Sequence, residues 1–173
     1  LLAGLSNPPN GEPAAELKAA DWLGTPPHWA GDFCLGPFDW KGNSLVAIGY
    51  PRTRPSNVGD RAEVSAKLPV PKSPSSTKIK GRLMLDFFVN DTRLENRYPG
   101  HRYMQLWVND RLAWEEDIAP ARPDGGWVSL DVTESARGKA ELQLRFRVVD
   151  KRPVGDHLSV TYLGPVRLRP LGK

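Results

Sequence analysis

A single cysteine, Cys34, stands in a chain of 173 residues. No disulfide can form within it, and the redox compartment is left open. A lone thiol with no supporting base pattern reads as a small buried residue rather than a nucleophile. No apolar run reaches the 18 residues expected of a membrane span. Neither a signal peptide nor an initiating Met is visible, which leads us to expect a processed chain or an excised piece. The three histidines, His28, His101 and His157, lie far apart with no cysteine partner, so zinc-ligand spacing is missing. An EF-hand loop, a P-loop and a GxSxG elbow are missing too. Long helices are unexpected, because 16 Gly and 17 Pro punctuate the chain. The net charge of +4 is small and dispersed. It gives no case for nucleic acid, but it suits an acidic partner.

What the chain does have is alternation. Arg102 to Ile118, RYMQLWVNDRLAWEEDI, reads as two strands joined at Asn109-Asp110. A two-residue turn sets Trp107 opposite Leu112 and leaves Arg111 and Glu115 on the face of Met104, Leu106 and Val108. A three-residue turn sets Val108 opposite Leu112 and Leu106 opposite Trp114. A one-residue slip inverts every side chain, so polarity is the criterion. By that criterion the second register is preferred, with Met104, Leu106, Val108, Leu112 and Trp114 inward and Tyr103, Gln105, Trp107, Ala113 and Glu115 outward. Its weakness is Arg111, which would need the left-handed conformation that Gly or Asn adopts more readily.

Residues 1–35 differ from the rest, with two Pro-Pro pairs and one short helical candidate over Glu12 to Leu23. They read as an irregular, partly helical lead-in that packs on a domain spanning residues 36–173. Trp22 and Trp29 should dock there. Strands are expected at Asn43 to Tyr50, entered from Phe38, Asp39 and Trp40, and at Arg61 to Val70 and Lys78 to Asn90. Beyond the hairpin come Trp127 to Val132, Ala140 to Asp150, His157 to Leu163 and Pro165 to Leu168. Leu83, Leu85, Phe87, Leu106, Val108, Val128, Leu130, Leu142, Leu144, Phe146 and Val160 are the candidate core. Eight or nine short strands, with no βαβ alternation and no internal repeat, point to an all-β, antiparallel β-sandwich.

The succession QLWVNDRLAWEED, GWVSLDVTESARGKAELQLRFRV and HLSVTYLGPVRL resembles galactose-binding-like jelly-roll domains over roughly residues 36–170. Asp131-Val132-Thr133 and Gly138 match the family's turns, while Val108-Asn109-Asp110 departs from the usual Val-Asn-Gly. The resemblance implies a jelly roll of the carbohydrate-binding-module or glycoside-hydrolase accessory type. It also implies an extracellular or secreted setting, with a catalytic domain of the parent protein as a further partner. Jelly rolls often hold a structural calcium, for which Asp32, Asp39, Asp150 or Asp156 are candidates. No other cofactor is implied.

Three classes of function stay open: a non-catalytic carbohydrate-binding module, a small polysaccharide hydrolase or lyase, and a domain that docks on a catalytic neighbour. For catalysis, Asp86, Glu115 and Glu116 are the available acids. Glu115 and Glu116 are adjacent on a strand and point to opposite faces, so they cannot pair. A solvated strand face explains these acids better, and no catalytic residue is assigned. The stronger signal is aromatic, because sugar C–H patches stack on rings while Arg, Asn, Asp and Gln bind the hydroxyls. Two locations qualify. On the outward sheet face, Tyr103, Gln105, Trp107, Arg145, Arg147 and Asp86 share a surface. At a loop end, Trp40, Tyr50, Arg52, Arg54, Asn90, Asp91, Arg93 and Tyr98 converge. The arginines favour an acidic polysaccharide or glycan, since guanidinium forks carboxylates and sulfates. The competing account is that the tryptophans are core and rim packing and the arginines a soluble surface.

Overall fold

The structure, a computed structural model, describes residues 3–25, 35–40, 43–49, 57–71, 81–91, 99–121, 124–152 and 160–171. Among them the alternating segments form strands that assemble into two antiparallel sheets, a β-sandwich. In the first sheet, β3 (Leu35–Trp40), β4 (Asn43–Gly49), β11 (Val160–Leu171), β6 (Arg82–Asp91) and β9 (Gly126–Asp131) lie in that order. β1 (Ala15–Leu17) is added on β11. The second sheet runs β2 (Leu23–Thr25), β5 (Arg61–Pro69), β10 (Glu141–Asp150), β7 (Arg102–Val108) and β8 (Arg111–Glu116).

The core lies between the sheets because the period-two pattern gives each strand one apolar face. Leu83, Leu85, Phe87, Leu106, Val108, Val128, Leu142, Leu144 and Phe146 are all buried there, as expected, and Leu130 packs against them partly buried. The side chain of Val160 lies outside the described residues. Phe87 and Phe146 meet edge to face at 5.0 Å, and Phe87 meets Trp114 at 5.1 Å.

Glu12 to Leu23 does not form the expected helix. It supplies β1, a 3-10 turn at Ala19–Asp21, and the start of β2. β1 pairs with β11 in one sheet and β2 with β5 in the other, so this stretch bridges the sandwich. The physical reason is that strand edges leave backbone groups unpaired, and an adjacent extended segment satisfies them. The Asp21 carboxylate then takes a hydrogen bond from the Lys18 backbone N–H at 2.7 Å, which holds the turn. Leu17 and Ala19 enter the core, and Trp22 meets Phe146 at 5.6 Å. Ahead of β1, Leu5 joins Leu45 and Phe88, with Trp127 and Tyr162 beside them, as a smaller apolar cluster.

The two strands expected near the C-terminus are one long strand, β11, with an irregularity between Leu163 and Val166. Gly164 falls in that irregularity. A Cβ there would stand 2.7 Å from the Phe88 Cβ, so only glycine allows this approach.

The central hairpin uses both registers. Asn109 and Asp110 take positive φ (48° and 63°), giving a two-residue turn with Val108 opposite Arg111 and Trp107 opposite Leu112. The pairing then shifts between Leu106 and Trp107, so Leu106 faces Trp114 and Gln105 faces Glu115. The preferred three-residue turn is therefore wrong at the turn, yet its pairing holds beyond it. The left-handed positions fall on Asn and Asp, which tolerate them, rather than on Arg111. Leu112, expected inward, is 48% exposed.

Two local devices fix the frame. The Asn109 side chain donates to the Ser135 carbonyl at 2.9 Å and accepts from the Gln143 N–H at 3.1 Å. Asp131 accepts from both the N–H and the hydroxyl of Thr133, and that hydroxyl accepts from the Leu83 N–H at 2.8 Å. The Asp-Val-Thr segment thus ties the helical turn at Thr133–Ala136 to β6.

Candidate functional site

The outer face of the second sheet is built in cross-strand rows. β10 is the central strand, and its polar residues Gln143, Arg145 and Arg147 point away from the core side chains Leu142, Leu144 and Phe146. Register sets Arg147 between Glu63 and Gln105, and Arg145 between Ser65 and Trp107. Gln143 stands opposite Lys67. Directly opposed residues on one face lie within contact distance, so these rows are interacting units.

Tyr103, Trp107, Arg145 and Arg147 are therefore brought onto one surface, as the sequence suggested. The guanidinium carbons of Arg145 and Arg147 each stand 5.4 Å from the Trp107 ring centroid. Part of the ring's π surface is already used by cations. The Trp107 Nε1–H donates to Gln105 Oε1 at 3.2 Å, and Gln105 Nε2 donates to Glu115 at 2.6 Å. Lys151 Nζ donates to Glu115 at 2.5 Å and lies 4.1 Å from the Tyr103 ring centroid. This chain of contacts fixes the indole before any ligand arrives. Burial pushes the Glu115 carboxyl up, but hydrogen bonds from Lys151 and Gln105 outweigh it and hold the group below its ordinary range.

The cations differ in how far they are committed. Arg147 is bound to Glu63 at 2.8 Å, both side chains being mostly buried. Arg145 has only a long 3.4 Å contact to Asp110, and its Nε has no hydrogen-bond partner among the described residues. Around it opens a groove of about 660 Å³, lined by Trp107, Arg145, Gln143, Asp110, Ser65, Lys67 and Pro69 on the sheet, and by Glu16 and Asp21 from the N-terminal stretch. Lys67 is paired with Glu141, whose hydrogen bond and charge raise its pKa. Asp21, Ser65, Lys67, Asp110 and Gln143 were not foreseen as site residues. Ser65, Lys67 and Gln143 carry the polar half of an alternating strand, but their neighbours depend on a pairing that sequence does not display.

Asp86 does not share this surface. It lies on β6 of the other sheet, buried, taking hydrogen bonds from Arg169 at 2.7 and 3.2 Å and from Ser129 at 2.6 Å. The Asp86 hydrogen bond raises the Arg169 pKa above its usual value. Asp86 and Glu115 therefore stand on different sheets and cannot act as an acid and base pair.

The second location lies mostly outside the described residues. Tyr50, Arg52, Arg54, Arg93 and Tyr98 lie outside the described residues, as does the side chain of Trp40, whose backbone pairs with Asn43. Asn90 and Asp91 are buried at the end of β6. Of the calcium candidates, Asp150 is buried and bound by Arg102 at 2.6 and 3.2 Å. Asp32, Asp156 and the Asp39 side chain lie outside the described residues. Among the described residues no group of three or more His, Cys, Asp or Glu converges as metal ligands, and no helix is long and apolar enough to cross a membrane.

Two antiparallel sheets around one core define the class: a β-sandwich. No family model and no curated protein matches the chain. Among solved structures it is similar to the C-terminal extracellular domain of Mycobacterium tuberculosis EmbC. The identity is 16% and the TM-score 0.31, over 94% of this chain and 60% of that one. The chain thus spans about three fifths of that neighbour's length. At that TM-score the likeness decides neither fold nor chemistry, and the fold rests on the sheets themselves.

Proposed function

We propose that this chain is a non-catalytic carbohydrate-binding module or accessory domain of the galactose-binding-like jelly-roll kind, working in an extracellular setting, with the groove beside Trp107 as its glycan site. The observation that carries the reading is a pre-oriented indole next to an under-committed guanidinium, in an open groove rimmed by planar hydrogen-bonding groups. Sugar rings present hydroxyl pairs and C–H patches together, and this combination of donors, acceptors and ring edge matches both. Leu112, exposed and opposite Trp107, extends the apolar strip. Tyr103 and Arg147 act through the frame: Arg147 and the Gln105–Glu115–Lys151 chain hold Trp107, while Arg145 and Gln143 supply hydrogen bonds. Of the residues that sequence nominated, Trp107 and Arg145 are the two we expect to touch a ligand.

The experiment is retention on a panel of insoluble and soluble polysaccharides, followed by calorimetry on those retained. Trp107→Ala and Arg145→Ala are expected to lower affinity at least ~10-fold each, with the fold intact by circular dichroism. Affinity untouched by both changes would move the site elsewhere. Release of reducing ends would instead show an enzyme, and a stable complex with a catalytic neighbour without glycan retention would show a docking domain.

A further inference from the structure

Of the arginines that suggested an acidic ligand, the two among the described residues, Arg145 and Arg147, already face carboxylates. Arg147 is held by Glu63 at 2.8 Å, Lys151 by Glu115 at 2.5 Å, and Lys67 by Glu141 at 2.8 Å. Arg145, the least committed cation, still has Asp110 3.4 Å away. The groove wall itself carries more carboxylates than cations, with Glu16, Asp21 and Asp110 against Lys67 and Arg145. Glu16 is in turn bound to Arg167 at 2.5 Å. Asp21 and Asp110 are both exposed and line the groove. An anionic chain entering here would face these carboxylates and would have to displace Asp110 from Arg145. A neutral chain has no charge for these carboxylates to repel, and Arg145 and Gln143 remain as hydrogen-bond donors to its hydroxyls.

Resting on the reading of this groove as a glycan site, we propose that it selects neutral oligosaccharides and rejects uronate or sulfated ones, with Asp110 and Asp21 as the residues that exclude the anions. Selection by exclusion needs a repulsive element beside the attractive one, and these exposed carboxylates are that element. At physiological salt their charge is felt over about 8 Å.

The test uses the full chain in calorimetry against neutral xylo-, gluco-, manno- and galacto-oligosaccharides and against oligogalacturonate and heparin fragments. Each is measured at about 20 mM and about 300 mM salt, where screening lengths are roughly 20 Å and roughly 6 Å. The expected result is binding of a neutral member whose affinity changes less than ~2-fold with salt, with acidic members at least ~10-fold weaker. In the Asp110→Asn, Asp21→Asn double variant, acidic fragments should gain several-fold while the neutral affinity falls by no more than ~3-fold. Preferential, salt-sensitive binding of oligogalacturonate or heparin to the unaltered chain would overturn the neutral selectivity and leave the glycan site standing. An acidic affinity unmoved by the double variant would overturn the exclusion role. Failure of every oligosaccharide to bind would overturn the glycan site itself, and this inference with it.

Discussion

Phe146 is fully buried on the central strand of the second sheet and meets Phe87 and Trp22 edge to face. Phe146→Ala is expected to cost about 3–5 kcal/mol, measured by denaturant unfolding, because a ring-sized cavity would open between the sheets. A loss below 1 kcal/mol, on the order of one methylene, would mean that the sheets do not face each other here. Asp131 makes a different kind of contribution. Hydrogen bonds from the Thr133 hydroxyl and N–H lower its pKa. A carboxylate with a depressed folded-state pKa adds stability that is present above its unfolded pKa and is lost as pH falls through the folded value. Acid unfolding below about pH 4 should therefore be shallower in Asp131→Asn than in the unaltered chain. Equal slopes would mean that the Thr133 contacts do not bias titration. At this scale the core residues were legible, since alternation alone picks them out. Asp86 was not. It occupies a polar position of an alternating strand, and its burial depends on Arg169, against whose Cδ a Cβ at Gly11 would come within 2.9 Å. That packing brings together residues far apart in the chain.

Elements show where pattern reading stops. Strands β5, β6, β7, β9 and β10 fall close to their expected places because one face of each must be apolar. β1 and β2 are three residues each, too short for periodicity to register, and exist because β11 and β5 offer edges. In the hairpin, polarity selects a single register, whereas the irregularity after the turn gives the strand two. The turn itself gives a sharp contrast between its residues. Asp110 has its side chain exposed and needs only a positive φ, so Asp110→Gly should hold or raise stability by a few tenths of a kcal/mol. Asn109 needs the same conformation but also bridges Ser135 and β10 with its amide. Asn109→Gly should therefore cost about 1–2 kcal/mol, despite creating the commoner turn residue. Thermal unfolding of the two variants side by side decides this, and equal effects would assign the Asn109 side chain no structural part.

For the whole molecule, the groove and the core depend on the same N-terminal stretch. Leu17 and Ala19 lie in the one cluster that contains Val64 and Phe146, so residues 3–25 close the space between the sheets as well as lying on their edges. Glu16 and Asp21 come from that stretch and form one wall of the groove. Removing residues 1–25 should thus act twice. It should lower stability by at least ~3 kcal/mol, since Leu17 and Trp22 lose their buried surface and β11 and β5 regain bare edges. It should also relax the selection against acidic oligosaccharides, because Asp21 goes with it. Leu85→Ala, fully buried on β6 of the other sheet and away from the groove, separates the two effects. It is expected to cost about 2–5 kcal/mol while leaving both groove carboxylates in place and the glycan preference unchanged. If the shortened chain kept its denaturant midpoint, the N-terminal strands would be accessories to a sandwich complete without them. If Leu85→Ala altered glycan preference as much as the deletion does, the groove wall would be set by core packing and not by the charges that face it.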